Sequence, residues 1–184
     1  MLRLFTGIEL PVSLGDELAL LRGGLLNARW IDPEDYHITL RFIGNVPTMR
    51  ADELHHRLAH LNRSTFEVRL QHLDVFGGDH PRALIVRVEL TPELRDLQAE
   101  HERLCRRLGL PPETRKFTPH VTLARLKQVS PHDAAQWLMD KGAFRTQRFT
   151  AEGHVLFSSQ ASTGGGPYVA EARYPLQPVP ALQV

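Results

Sequence analysis

Apolar residues alternate with polar ones, two by two, at two distant places in this chain. In His37-Ile38-Thr39-Leu40 and again in His120-Val121-Thr122-Leu123, the apolar members share one face of a strand and the His and Thr share the other. The pattern on either side of each copy follows one plan. Leu2 to Leu10 reads as a strand that Pro11 ends. A helix follows to about Leu26, with Ser13 as its cap. Tyr36 to Ile43 is the first motif strand, closed by Gly44-Asn45. Thr48 to Leu61 has helical spacing, and Thr65 to Phe76 reads as a strand that ends at Gly77-Gly78.

The order then repeats. Ala83 to Leu90 alternates as a strand. Thr91 caps a helix with Pro92 in its first position, which runs to about Leu108 and stops at Gly109. Thr118 to Leu126 is the second motif strand, and Ser130-Pro131 opens a helix to about Met139. Arg148 to Ser158 is a strand, 163–167 a glycine-rich loop, Tyr168 to Pro175 a last strand, and the tail from Gln177 is Pro-rich. Strand, helix, motif strand, helix, strand thus occurs twice. It predicts an α+β protein of two similar lobes, with two antiparallel sheets facing a central cleft and helices outside. The strand order within each sheet stays open.

Composition narrows the class without naming a function. The 184 residues suit one bilobal unit spanning 1–184, and 42% hydrophobic with 23% charged residues is ordinary globular material. A net charge of +1 excludes a basic coat for nucleic acid and leaves room for a local anion site. Cys105 is the only cysteine, so neither an internal disulfide nor a cysteine zinc site is expected. No apolar run is long enough to span a membrane, and the start lacks the shape of a signal peptide, so a cytoplasmic monomer is the expectation. His56 and His60 have metal-ligand spacing on a helix, but no third ligand accompanies them. No cofactor or metal is expected.

Paired imidazoles suit a reaction in which one proton is removed as another is delivered. Histidine's ordinary pKa lies near neutrality, and a nearby hydroxyl can donate to phosphoryl oxygens. His37 and His120 are therefore the candidate acid–base pair, with Thr39 and Thr122 as anion binders. On a straight strand Arg41 shares their face. Arg125 would point away under strict alternation, so its use needs a twist, a bulge or a long reach. Phe42, Phe117 and Tyr36 are available for stacking on a base, although alternation places Phe42 with the core residues Ile38 and Leu40.

The paired motifs resemble those of the 2H phosphoesterase superfamily and, within it, of the RNA 2′,3′-cyclic phosphodiesterases, also called 2′-5′ RNA ligases. The stretches that carry the likeness are Leu4-Phe5-Thr6-Gly7-Ile8, His37 to Gly44, Phe117 to Arg125, Gly166-Pro167-Tyr168 and Tyr174-Pro175-Leu176. The resemblance implies metal-independent hydrolysis of an RNA 2′,3′-cyclic phosphate end, or a small cyclic nucleotide, to a 2′-phosphate, with reverse 2′-5′ joining as a side activity. It implies that His37 is the proton donor, His120 the proton acceptor, and Thr39, Thr122 and Arg125 the phosphate binders. Arg41 and Phe42 are further candidate substrate contacts. The alternative is a binding module that holds an RNA end or nucleotide without turnover.

Overall fold

Both His-x-Thr-Leu segments are strands, and they meet. A computed structural model describes residues 2–159 and 166–179. The first motif opens β3 (His37–Val46), the second opens β6 (His120–Leu126), and the two strands pair antiparallel at Ile38 and Val121. Each motif strand also pairs with the strand that opens its half of the chain. β3 lies beside β1 (Leu2–Glu9), and β6 beside β5 (Ala83–Val88).

From there the chain exchanges partners between lobes. β4 (Phe66–Phe76) leaves the first half of the sequence to pair with β5, and β7 (Gln147–Ala151) completes that lobe on the far side of β4. β8 (Gly153–Ser159) returns to β1, and β9 (Tyr168–Pro175) covers its edge. The order is β7-β4-β5-β6-β3-β1-β8-β9, with the short β2 (Ala28–Trp30) added to the far end of β6. Two four-stranded antiparallel lobes thus join through the motif strands into one curled sheet. Beyond the Ile38–Val121 pair, β2 and Ile31 occupy the edge of β6, since Ile31 N donates to Leu123 O. The motif strands therefore splay apart, which opens a cleft.

Among the described residues four α-helices back the sheet. α1 (Val12–Ala19) and α4 (Pro131–Asp140) pack Leu14, Leu18 and Trp137 into the larger core with Ile38, Val121 and Leu123. α2 (Thr48–Ala59) and the C-terminal half of α3 (Pro92–Arg107) cover the β1–β8 side, where Leu54, Leu58, Leu104 and Leu108 meet Leu4 and Leu156. Thr91 and Ser130 cap α3 and α4 as the sequence predicts, by accepting from Leu94 N and Asp133 N.

Three expectations change. α1 stops at Ala19 rather than near Leu26, because Gly23 and Gly24 adopt left-handed backbone, which a helix excludes. Its N-cap is Pro11, with no side-chain cap, so Ser13 does not play that part. The single strand read over Arg148 to Ser158 is two, split at Glu152, where the chain crosses between lobes. The glycines at 164 and 165 and the tail beyond 179 lie outside the described residues. Among the described residues no helix is long and apolar enough to cross a membrane.

Candidate active site

The antiparallel register at Ile38–Val121 builds the site. One step to either side of that pair, His37 lies beside Thr122 and Thr39 beside His120, all on the cleft face. The two motifs thus interlock, each imidazole next to the other motif's hydroxyl. These four side chains line a cavity of about 50 Å³ together with Ile31, Asp35, Arg125 and Tyr168. That is room for one tetrahedral anion or a few waters.

Each imidazole is held the same way. His37 Nδ1 donates to Asp35 O at 2.8 Å, and His120 Nδ1 donates to Thr118 O at 2.7 Å. A carbonyl only accepts, so each Nδ1 carries hydrogen and each Nε2 is left to exchange a proton with the cavity. The Thr39 hydroxyl donates to His37 Nε2 at 3.0 Å. Burial lowers the pKa of His37 to about 4, assisted by the nearby positive charges of His120 and Arg125. Burial also lowers that of His120, with Arg125 and Arg87 adding to the effect. Both shifts favour the neutral rings in the free protein.

Strand irregularities decide which flanking residues reach the cleft. Along β6 the partners run Ile85–Thr122 and then Leu84–Ala124, so a bulge at Leu123 breaks the alternation. The bulge puts Arg125 on the face of His120 and Thr122, which supplies the extra turn that strict alternation lacks. β3 carries the same feature. Gly7 pairs with Thr39 and Thr6 with Arg41, which skips Leu40. Here the bulge carries Arg41 off the cleft face. Arg41 turns away from the His37 face and is 6% exposed. Its Nε donates to Glu102 at 2.5 Å, and its other nitrogens donate to the Phe42 and Pro111 carbonyls. Phe42, which alternation places in the core, is 39% exposed instead. Phe42 is thus the positional counterpart of Arg125, and Arg41 that of buried Ala124.

Arg41 thus lies outside the small cavity, lines the groove beside Thr39 and Phe42, and has a structural role through Glu102. Arg41→Ala leaves Glu102 only its more exposed partner Arg106 and the Glu113 N–H. We expect a loss of about 3 kcal/mol in stability, read as a lower urea midpoint, with the KM of the folded fraction little changed. A large rise in KM at unchanged stability would return Arg41 to the substrate.

The family described as LigT like Phosphoesterase matches the chain twice, over residues 8–86 and 84–168. This chain belongs to that family. Each matched stretch of this LigT-like phosphoesterase holds one His-x-Thr motif. A protein named RNA 2′,3′-cyclic phosphodiesterase from Aeropyrum pernix is 40% identical over 116 residues, which is 60% of this chain and 66% of that relative. The chain spans less than two-thirds of the length of the curated relatives it matches first. Among solved structures, TT0787 of Thermus thermophilus superposes with a TM-score of 0.77 at 23% identity, covering 96% of this chain and 98% of that one. Escherichia coli LigT complexed with 3′-AMP gives 0.74 at 20% identity, covering 95% and 98%. These neighbours share the fold.

Two members of the site escape the sequence reading of this phosphoesterase. Tyr168, at the start of β9, packs edge-on against His37 with ring centroids 5.1 Å apart and lines the cavity. Asp35 holds it there. The Asp35 carboxylate accepts from Tyr168 N at 3.0 Å, while its main-chain oxygen fixes His37. Gly166 has a φ of +80°, and a Cβ on it would run into the same carboxylate. The stretch Gly166-Pro167-Tyr168 marks the segment in the sequence without showing what it touches. Asp35→Ala should release Tyr168 while leaving the carbonyl that holds His37. The expected drop in kcat/KM is about 10- to 100-fold, from loosened positioning. Unchanged kinetics would show that Tyr168 is held by its ring packing alone.

Proposed function

We propose that this chain opens 2′,3′-cyclic phosphate ends of RNA to 2′-phosphates, with His37 as general acid and His120 as general base. The observation that carries the reading is the pair of Nε2 atoms, each fixed by a carbonyl on the opposite nitrogen, at one small cavity with two hydroxyls and Arg125. His120 Nε2 takes a proton from water as the water oxygen bonds to phosphorus. The bond from phosphorus to the 3′ oxygen breaks, and that oxygen leaves with the bonding electrons and takes a proton from His37 Nε2. Thr39, Thr122 and Arg125 donate to the non-bridging oxygens, where charge builds in the transition state.

The acid must be charged before it acts, and burial opposes that. A bound phosphodiester anion beside His37 reverses the balance, because an opposite charge favours the protonated ring. With the 5′-hydroxyl of another RNA end in place of water, the same displacement forms a 2′-5′ bond: His120 Nε2 takes the hydroxyl proton and the departing 3′ oxygen takes one from His37 Nε2, so 2′-5′ ligation is the accompanying side reaction. The name of the Aeropyrum pernix relative supports RNA as the substrate, and we place the protein in the cytoplasm as a monomer.

The test is incubation, with a chelator present, of an RNA oligonucleotide that ends in a 2′,3′-cyclic phosphate. The products are resolved as 2′- or 3′-phosphate. A 2′-phosphate made without added metal is expected. A 3′-phosphate would reverse the acid–base geometry, and tight binding without product would favour the binding-module alternative.

A further inference from the structure

The 50 Å³ cavity has a larger neighbour. A groove of about 430 Å³ begins at Thr39 and His120, which line both spaces, and runs past Phe42, Phe76 and Phe117. Its rim carries Arg82, Arg115, Lys116 and the carboxylate of Glu113.

The charges on that rim sort into two groups. Arg115 grips Glu113 through Nε and the Nη2 amino group at 3.1 and 3.0 Å, so those two charges cancel locally. Arg41 is held by Glu102. Arg82 and Lys116 are different. Both are exposed, and neither side chain makes a hydrogen bond or ion pair among the described residues. The groove therefore presents two uncompensated cations beside an exposed aromatic ring, continuous with the anion cavity. A mononucleotide cyclic phosphate has a single anionic group, and the small cavity accounts for it. The next anion in an RNA chain is the phosphodiester on the 5′ side of the terminal nucleoside.

We propose that Arg82 and Lys116 form a second phosphate subsite that takes this penultimate phosphodiester, with the intervening nucleoside lying along Phe42. The inference rests on the reading that the cyclic phosphate occupies the small cavity, and it names the substrate class as RNA chains rather than free cyclic nucleotides. Single-strand sites pair a cationic track with aromatic faces in this way, and their affinity falls with salt.

The experiment compares kcat/KM for 2′,3′-cyclic AMP with that for the diadenosine dinucleotide bearing a 2′,3′-cyclic phosphate, in the native protein and in the Arg82→Gln/Lys116→Gln double variant. The native protein should favour the dinucleotide by about tenfold or more, and rising salt should erode that preference. In the double variant the ratio should approach one. Equal native kcat/KM for the two substrates, or a ratio that survives the double substitution, overturns the subsite. If neither substrate turns over, the reaction reading itself fails. The subsite is then decided by binding of the dinucleotide 2′-phosphate against adenosine 2′-phosphate. A native preference lost in the double variant upholds it, and equal binding overturns it.

Discussion

Replacing His120 with alanine lowers kcat by about 10²- to 10⁴-fold, and replacing His37 does the same, because each removes one proton transfer from a single displacement. The double variant should be little worse than either single one, since acid and base act on the same transition state and their losses do not add. His120 lies at the cleft surface against the Phe76 ring, whereas His37 packs against Phe5, Phe157 and Tyr168, so the His120 variant should melt closer to the native protein than the His37 variant. The pH dependence gives a sharper check. With His37 lowered to about 4 in the free protein, few molecules near neutrality carry the acid in its charged form. The alkaline limb of kcat/KM, which reports the free enzyme, should therefore lie at low pH. The alkaline limb of kcat should lie higher, because the bound phosphodiester raises His37. Limbs that coincide would mean the substrate anion does not charge His37, and the assignment of His37 as the acid would fall.

That site is legible in the sequence to the extent that it depends on local order. A His and a Thr two residues apart on a strand share a face whatever the strand pairs with, and the repeat of the pattern points to a pair of half-sites. What periodicity cannot carry is a break in periodicity. The bulges at Leu40 and Leu123 are set by how β3 and β6 pair with β1 and β5, and they exchange the expected places of Arg41 and Phe42 while bringing Arg125 in. Comparing the copies offers a signal. His-Ile-Thr-Leu-Arg-Phe and His-Val-Thr-Leu-Ala-Arg align residue for residue, so an apolar Ala124 argues that its counterpart Arg41 is also turned inward.

Long-range partners are harder still. Asp35 and Tyr168 are 133 residues apart in the chain, and nothing near Asp35 announces a role beyond the turn before β3. The fold shows the same limit. Helix starts at Thr91 and Ser130 and the glycine stop after α3 are local chemistry, and the sequence shows them. The passage of β4 into the second lobe, and of β8 and β9 into the first, depends on which edges the lobes offer each other. A strand's own residues do not encode that.

The protein should lose stability steeply as pH falls from about 6.5 to 4, through a buried pair outside the active site in addition to His37 and His120. His101 and His154 are 1% and 0% exposed, with ring centroids 4.9 Å apart. His101 Nδ1 bonds with the Thr6 hydroxyl at 2.8 Å, while His101 Nε2 and both nitrogens of His154 have no partner among the described residues. His154 instead stacks on Tyr174 at 5.0 Å. Burial lowers the pKa of His154 to about 4, against a small opposing pull from Glu100, and lowers His101 well below its ordinary value, with the His154 charge adding to the effect. In the unfolded chain both titrate near 6.5. Below that pH the unfolded state binds protons that the folded state refuses, so unfolding is favoured progressively until the folded ring itself titrates. Above it both states are neutral and no penalty remains. His154 alone is worth about 3 kcal/mol over this interval, a sizeable share of a typical domain's stability. The urea midpoint should fall accordingly between pH 7 and pH 4. His154→Phe keeps a ring against Tyr174 and removes one of the titrating groups, so it should make the profile shallower even if it shifts stability at pH 7. A profile as steep in that variant as in the native protein would place the acid sensitivity elsewhere, with His37 and His120 the next groups to test.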